Sequence, residues 1–252
     1  MFRHPIDVIP VGIIVAVLAA QLTIFFVVGD PLCVLLAVAL VFPIQVNFAG
    51  MCHNHHHHNT FRHRLLNRAF EVVMFLQLGM LPYVYTLHHN IGHHRHYMDQ
   101  TSDSNRWRRA DGSVMGPWEF AWVLCRDMYP TARRIGRGHP RVFRKFRRMA
   151  WVCGGVLAAL LAVHPLNALL VFVLPLPVAL LMQAQATYYQ HAGVEARDPL
   201  RASRSATGAF YNLRTLNLGY HTAHHLRPGL HWSRLPAFHA EIAAQIPPEL
   251  LV

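Results

Sequence analysis

The amino-acid sequence predicts an all-α integral membrane protein, with four transmembrane helices in two hairpins and a cytosolic helical cap rich in histidine. Three observations lead to this fold class. The chain has 252 residues, of which 53% are hydrophobic, yet it carries a formal net charge of +11. Its long apolar runs come in pairs, and a short turn separates the members of each pair. Most of its 20 histidines gather in clusters outside those runs.

The first hairpin begins with an apolar run from 8 to 28 that contains no charged residue. This run has about 20 residues, the length that crosses the hydrocarbon core of a bilayer. Gly29, Asp30 and Pro31 lead directly into a second apolar run that ends at Ala49. A cleaved signal peptide would be shorter, with basic charge before it and a small-residue site after it. We therefore expect two membrane spans joined by a tight turn.

The second hairpin is predicted over residues 149–163 and 166–182. His164 and Pro165 separate the two runs, and proline at this position favours a turn over a helix interior. All 23 lysines and arginines lie outside the four runs and outside both turns. Positive charge accumulates on the cytoplasmic side of membrane proteins, so we expect the histidine clusters and both termini there.

A third kind of segment, residues 65–86, is apolar but interrupted by polar residues and a proline. We interpret it as an interfacial or partly embedded helix, with a full span as the weaker alternative. One domain over residues 1–252 is expected, because metal ligands drawn from 53 to 225 require the hairpins to pack together.

Two classes of metal site are disfavoured by composition. The four cysteines are scattered and form no Cys-x-x-Cys pair, so neither a disulfide framework nor a cysteine metal site is predicted. The chain has only 12 acidic residues and no Glu-x-x-His pair. Soluble carboxylate-bridged di-iron bundles need such pairs, and that fold is therefore excluded.

The histidine clusters predict one shared metal site. Residues four apart lie on the same face of a helix and can direct two imidazoles at one ion. Each cluster supplies one such pair, and the second and third clusters add a further histidine to it. The three sets are His53 and His57; His89, His93 and His94; and His221, His224 and His225. Eight imidazoles exceed the four ligands of a single zinc, so we expect two ions. Nitrogen donors suit iron, copper, nickel or zinc better than magnesium or calcium.

The first cluster is embedded in a run of consecutive histidines. Neighbouring helical positions point about 100° apart, so only part of the run can face one ion. His57 is the expected partner of His53, with His58 as the alternative partner or an outer contact. His191 is predicted as a ninth ligand, because it follows the last span where that span exits toward the clusters. No catalytic residue beyond the ligands is expected.

Metal-bound imidazoles are usually oriented through their other ring nitrogen by an outer hydrogen-bond partner. Candidates for this role are Asn90, Asp99, Asp103 and Asn217. For the two aspartates, a role in a loop or a helix cap is an equally good interpretation.

The polar middle of the chain, residues 95–148, is rich in arginine and interleaved with aromatic residues. We expect this region to lie at the level of the lipid headgroups of the bilayer. Recognition of the phosphates of an acyl carrier is a compatible role. Nucleic-acid binding is the competing interpretation of a basic patch, and the apolar composition disfavours it.

At these clusters the sequence resembles the membrane-bound fatty acid desaturase superfamily, which includes alkane monooxygenases and fatty acid hydroxylases. Residues 53–57 resemble its first histidine box, residues 89–94 its second, and residues 217–225 its third. The segment 189–191 is similar to the additional histidine that the family places between boxes two and three. The likeness extends over most of the chain from His53 to His239.

The resemblance implies a cytosolic centre of two non-haem iron ions, with O2 as co-substrate. It also implies a separate electron donor, such as a ferredoxin, a rubredoxin or a cytochrome b5-like protein, together with its reductase. The expected substrate is a fatty acyl or alkyl chain, with desaturation as the main expectation and hydroxylation as the alternative. A metal transporter or store is the non-enzymatic alternative. It is disfavoured because a transporter needs ionisable ligands near the bilayer midplane, which the interiors of the four apolar runs lack.

Overall fold

The computed structural model describes residues 1–194 and 197–252, and these residues form helices and connecting loops without an extended strand. The main elements are α1 (Pro5–Val27), α2 (Pro31–His57), α3 (Arg64–Leu78), α4, which is a π-helix (Thr86–His93), α5 (Pro117–Gly138), α6 (Pro140–Val163), α7 (Pro165–His191), α8 (Ala209–Thr215), α9 (His221–Leu226) and α10 (Leu235–Ile242). Short 3₁₀ turns lie between the later helices and after the last one, over Pro199–Arg201, Trp232–Arg234, Ala243–Gln245 and Pro248–Leu250.

Four of these helices, α1, α2, α6 and α7, are long and apolar enough to cross a membrane. This confirms the predicted fold class of an all-helical protein with four spans. The observed helices are longer than the apolar runs, because histidine and arginine are compatible with helix and let it continue past the apolar part. α2 continues to His57 and α7 to His191, so each of these spans carries candidate ligands at its end.

The two hairpin turns lie at the same end of the helical bundle. In the first turn, the Asp30 carboxylate accepts a hydrogen bond of 2.9 Å from the backbone N–H of Cys33 and caps α2. Asn167, at the start of α7, donates from Nδ2 to the backbone carbonyls of Phe25 and Val28, at 2.9 and 2.8 Å. The turns therefore pack against each other, and the histidine-bearing ends of α2 and α7 lie at the opposite end.

Helix α3 corresponds to the interrupted apolar segment of the sequence. Its 15 residues span about 22 Å, which is less than the hydrocarbon thickness of a bilayer, so it does not cross as a full span. It buries Phe70, Met74 and Leu78 against the core. Gln77 is also buried, and its Nε2 donates to the backbone carbonyl of Ile14 at 3.1 Å. α3 thus packs along α1 and helps to fix the bundle.

Helix α5 packs against α7 through Phe120, Leu124 and Ala184. On the opposite side of α5, Trp118 and Trp122 are exposed. The helix therefore presents apolar residues to the span α7 and to the cavity described below, while aromatic and arginine side chains face outward.

Candidate metal centre

Two groups of histidine side chains converge at the end of the bundle opposite the hairpin turns. The first histidine group consists of His53, His57, His89, His94 and His224, and the second contains His93, His191 and His225. Within each of these sets, the candidate ligand atoms lie within 4.8 Å of one another. His221 joins the second group, because its Nε2 lies 2.8 Å from that of His191 and 3.1 Å from that of His225. The two groups together contain the nine histidines that the sequence predicts as ligands.

The spacing inside the first group suits a single ion. The Nε2 atom of His89 lies 3.0 Å from those of His53 and His94, and the Nε2 atoms of His94 and His224 are also 3.0 Å apart. Two imidazole nitrogens bound at 2.0–2.1 Å and at right angles on one metal would be about 2.9 Å apart. The Nε2 atom of His57 is buried and lacks a hydrogen-bond partner among the described residues, as expected of an atom reserved for a metal.

The second group has similar spacing. His191 Nε2 lies 3.2 Å from Nε2 of His93 and 3.1 Å from Nε2 of His225. The side chains of this group are buried, and they reach the site from the π-helix, α7 and α9. A second ion therefore fits among nitrogen donors drawn from three separate elements of the fold.

The protonation state of these imidazoles also suits metal binding. Burial lowers the pKa of the histidines outside the spans, and the neighbouring imidazoles lower it further. These histidines are His89, His94, His221, His224 and His225. A lowered pKa keeps the ring neutral, and the neutral ring is the form that donates to a metal. The all-nitrogen donor sets match the chemistry of iron, copper, nickel or zinc.

The pairing predicted inside the second cluster is wrong in one respect. His89 and His93 were expected to serve one ion as an i,i+4 helical pair, but they belong to different groups. Residues 86–93 form a π-helix, in which hydrogen bonds close at i to i+5 and residues five apart come into register. His94 N–H bonds to His89 carbonyl oxygen at 2.9 Å, and the Nε2 atoms of these two residues lie 3.0 Å apart. The wider turn thereby sends His93 to the second group.

One outer hydrogen bond orients a member of the second group. The Asp103 carboxylate is buried and lies 2.9 Å from Nδ1 of His93. Asp103 also accepts from the backbone N–H of Asn105 at 2.8 Å, which fixes the carboxylate in the loop. A proton held on Nδ1 by this carboxylate leaves the lone pair of His93 Nε2 for a metal. His191 has a similar contact, with Nδ1 3.3 Å from the backbone carbonyl of Ala202.

Other residues predicted to orient the ligands do not contact the rings. Asp99 is exposed, and its carboxylate accepts from the backbone N–H and hydroxyl of Thr101, so it stabilises a local turn. Asn90 donates from Nδ2 to the backbone carbonyl of His56 at 2.9 Å. Asn90 therefore links the π-helix to α2 through the backbone, and it does so without touching a ligand ring nitrogen.

Asn217 and His58 also lie outside both groups. Asn217 adopts a φ of +61° in the turn before α9 and donates to the backbone carbonyl of Trp232 at 3.1 Å. His58 follows the end of α2 with an extended backbone, which turns its ring toward His4, at a centroid separation of 5.2 Å. The first group therefore contains His57, and the alternative pairing of His53 with His58 does not occur in this structure.

Two tyrosines that the histidine pattern does not indicate pack on the histidine groups. The Tyr85 ring lies 4.5 Å from that of His89 and 5.6 Å from that of His53. Tyr97 packs on the second group, with its ring centroid 4.2 Å from that of His225. Tyr85 lies four residues before His89, and this spacing is the one feature of the sequence that indicates a contact between their rings. Both rings exclude water from the imidazoles that they cover.

An apolar cavity of about 380 Å³ opens beside the histidine groups, a size typical of small-molecule sites. Its wall includes members of both groups, namely His53, His89, His93 and His221. Val84, Leu124 and Met128 form a buried part of the wall, which a chain of methylene groups could contact. Two buried polar atoms of the lining, Nε2 of His88 and Oδ1 of Asn105, lack hydrogen-bond partners among the described residues.

Comparison with known families agrees with this geometry. The family model described as Fatty acid desaturase matches residues 29–252. The chain belongs to the fatty acid desaturase family. Among curated proteins and solved structures, none matches the chain closely enough to count as a relative. Membership of this family, together with four apolar spans and two histidine groups, fits an integral membrane oxidoreductase with a metal centre.

Proposed function

We propose that this desaturase-family protein is an O2-dependent, non-haem di-iron oxidoreductase that introduces a double bond into a fatty acyl chain. The observation that carries the proposal is the position of two all-histidine groups in the wall of one apolar cavity. A methylene group in this cavity would lie beside both groups.

The two histidine groups would each hold one iron, five imidazoles in the first and four in the second. When bound, the irons supply the reduction of dioxygen and the oxidising power that removes hydrogen from an unactivated methylene. The protein's own residues position the reactants. Asp103 holds the Nδ1 proton of His93, and the buried side chains of Val84 and Met128 keep water from the acyl chain.

Hydroxylation of a fatty acyl or alkyl chain is the alternative reaction at the same site. After the first hydrogen has been removed, loss of a second hydrogen gives an alkene, whereas transfer of oxygen gives an alcohol. The position of the substrate carbon relative to the two groups decides between them. Six helical elements line the cavity, namely α2, the π-helix, α5, α7, α8 and α9, which favours a fixed position of the chain. Desaturation is the main proposal because the matching family model is that of the fatty acid desaturases.

Metal transport is less well supported as a function. Transporters hold their ions near the bilayer midplane, between discontinuous helices. Here His53 and His57 lie at the end of α2, and His191 lies at the end of α7. A site at one end of the bundle, beside an apolar cavity, suits chemistry on a lipid chain better than passage of an ion.

Electrons would come from a separate donor protein, a ferredoxin, a rubredoxin or a cytochrome b5-like protein with its reductase. We propose that the end of the bundle carrying the histidine groups faces the cytoplasm, because the arginines gather there and the hairpin turns carry none. The exposed Trp118, Trp122 and Trp151 lie among these arginines in sequence and suit the headgroup layer of the bilayer.

Mass spectrometry of acyl chains from an aerated host tests this proposal. Cells expressing the wild type are compared with cells expressing His93→Ala and with the exposed control His96→Ala. A new species lighter by two hydrogens, present with the wild type and the control but absent with His93→Ala, supports desaturation. A species heavier by one oxygen identifies the hydroxylase instead. Purified active protein that contains zinc in place of iron would contradict the oxygenase chemistry.

A further inference from the structure

A single guanidinium group lies at the mouth of the cavity. Among the described residues that line the cavity, Arg214 is the only lysine or arginine, and none is aspartate or glutamate. Arg214 is exposed, whereas the lining residues His53, His93 and His221 are buried. One positive charge therefore marks the outer end of a cavity whose inner end carries the buried imidazoles.

The Arg214 side chain is held in place by two contacts. Asn47 donates from Nδ2 to the backbone carbonyl of Pro43 at 2.8 Å, and its Oδ1 accepts from Nε of Arg214 at 3.1 Å. The guanidinium carbon lies 5.4 Å from the ring centroid of Phe210. Both Asn47 and Phe210 also line the cavity. The guanidinium group is thus oriented at the mouth before any ligand arrives.

The two Nη groups of Arg214 are available for an anion. Across residues 1–194 and 197–252, no side chain or carbonyl accepts a hydrogen bond from them, and no carboxylate lies within ion-pair distance. A guanidinium group binds a carboxylate or a phosphate with two parallel hydrogen bonds. The chemistry of the mouth therefore suits a ligand with an anionic end and an apolar body.

The surroundings of the mouth suit entry from lipid. On α8, Phe210 and Leu213 are 71% and 76% exposed, and on α7 the lining residue Met182 is also exposed. Phe210 and Leu213 neighbour Arg214 on α8, and Met182 lines the same cavity from α7. An acyl chain could enter beside them while its head group stays at the level of the lipid headgroups.

We propose that Arg214 binds the anionic head group of the substrate, a free carboxylate or the phosphate of a phospholipid, and so determines substrate specificity. This inference rests on the proposed function, because it identifies the substrate class of the same cavity. Asn47 precedes His53 by six residues on the helical segment that ends α2, a rise of about 9 Å. A head group held beside Asn47 fixes the number of methylenes between the head and the first histidine group.

Binding in the absence of turnover tests the proposal. The protein is purified in a non-ionic detergent without phosphate groups and titrated with nitroxide-labelled stearate, at a pH where the acid is ionised, and with its methyl ester. We expect the wild type to bind the ionised acid about ten- to a hundredfold more tightly than the ester. Arg214→Gln should abolish this preference and leave ester binding unchanged, which also shows that the cavity is intact. Arg214→Lys should retain part of the preference.

Arg201→Gln is the matched control, because Arg201 is an exposed surface arginine outside the cavity lining. It should bind both probes as the wild type does. Competition with unlabelled stearate or with phosphatidic acid then shows whether the natural head group is a carboxylate or a phosphate. The ligand with the natural head group should displace the probe at the lower concentration. Equal binding of acid and ester by the wild type, or an undiminished preference in Arg214→Gln, would overturn the proposal.

A product analysis separates this inference from the proposed function. The wild-type protein is given saturated acids of different chain lengths, and the position of the modified carbon is determined in each product. Counted from the head group, this position should be the same for every chain length. A position that stays constant from the methyl end instead would overturn anchoring by Arg214 while leaving the oxidation reaction established. If no product forms at all, the binding experiment still decides the role of Arg214.

Discussion

The carboxylate of Asp103 lies 2.9 Å from Nδ1 of His93, and both side chains are buried. This contact joins the loop after the π-helix to the second histidine group. The carboxylate favours the tautomer of His93 that carries its proton on Nδ1. Of the four residues predicted to orient the ligands, Asp103 is the one whose side chain contacts a ligand ring.

The first prediction concerns this contact. Asp103→Asn keeps the size of the side chain but removes its charge, so it accepts a weaker hydrogen bond from Nδ1 of His93. We expect the affinity for iron to fall about ten- to a hundredfold. Competition with a coloured chelator measures the affinity. Asp99→Asn, four residues earlier and exposed, is the control and should bind iron as the wild type does. Equal affinities of the two variants would contradict the role of Asp103.

The second prediction concerns the division of the histidines between two ions. His94 belongs to the first group and His225 to the second. His94→Ala should therefore lose mainly the ion of the first group, and His225→Ala mainly the ion of the second. We expect about two irons per wild-type protein and about one in either variant, from the ligand requirement of each site. Elemental analysis of the purified proteins measures this ratio. His96→Ala, at an exposed histidine of the same segment, should keep both. Loss of both irons in each single variant would show one coupled site instead.

The sequence predicted much of this arrangement, because apolar length and histidine spacing are local properties. The four spans and the residues of the two groups follow from such patterns. The sorting of His89 and His93 into different groups was not predictable, because a π-helix and an α-helix have the same residue pattern and differ in hydrogen-bond register. Tyr97 was missed for a different reason, since its contact with His225 joins segments distant in sequence.

The role of Asp103 could be suggested but not decided from the sequence. Asp99 and Asp103 are close in sequence and are the same type of residue, and both suit a loop. Burial separates them, since Asp103 is 5% exposed and Asp99 lies at the surface. Burial of a loop residue depends on how α5 and the π-helix pack, which is a long-range property that spacing does not contain.

The third prediction concerns the contact between α2 and α8. A Cβ atom built on Gly50 would lie 2.2 Å from the backbone carbonyl oxygen of Thr215, so the two backbones approach more closely than alanine allows. Gly50→Ala should force them apart and destabilise the protein by about 1–3 kcal/mol. The measurement is the thermal midpoint of unfolding in detergent, with iron content as a second readout. Gly154→Ala, in α6 with open space around it, should not lower the midpoint, because alanine favours a helix interior more than glycine does, and it should leave the iron content unchanged. If the two variants were equally stable, the close approach would be unimportant.

The fourth prediction concerns the buried wall of the cavity. Val84 is fully buried in this wall, beside Met128, so Val84→Phe adds a ring that has to occupy cavity space or displace its neighbours. Overpacking of this kind costs about 1–3 kcal/mol, which corresponds to about five- to 150-fold in the rate for a substrate that needs the space. We therefore expect activity on the longest acyl chains to fall by that factor, while shorter chains are still accepted.

Competition between acyl chains of different lengths, followed by mass spectrometry of the products, measures this shift in preference. Val152→Phe adds the same ring on α6, where Val152 is 48% exposed and outside the cavity lining, and should leave the preference unchanged. A uniform loss of activity on all lengths in Val84→Phe would mean that the ring disturbs the histidine groups. A preserved preference with full activity would mean that the acyl chain does not reach this wall, since a bound chain in contact with Val84 has to compete with the added ring for the same volume.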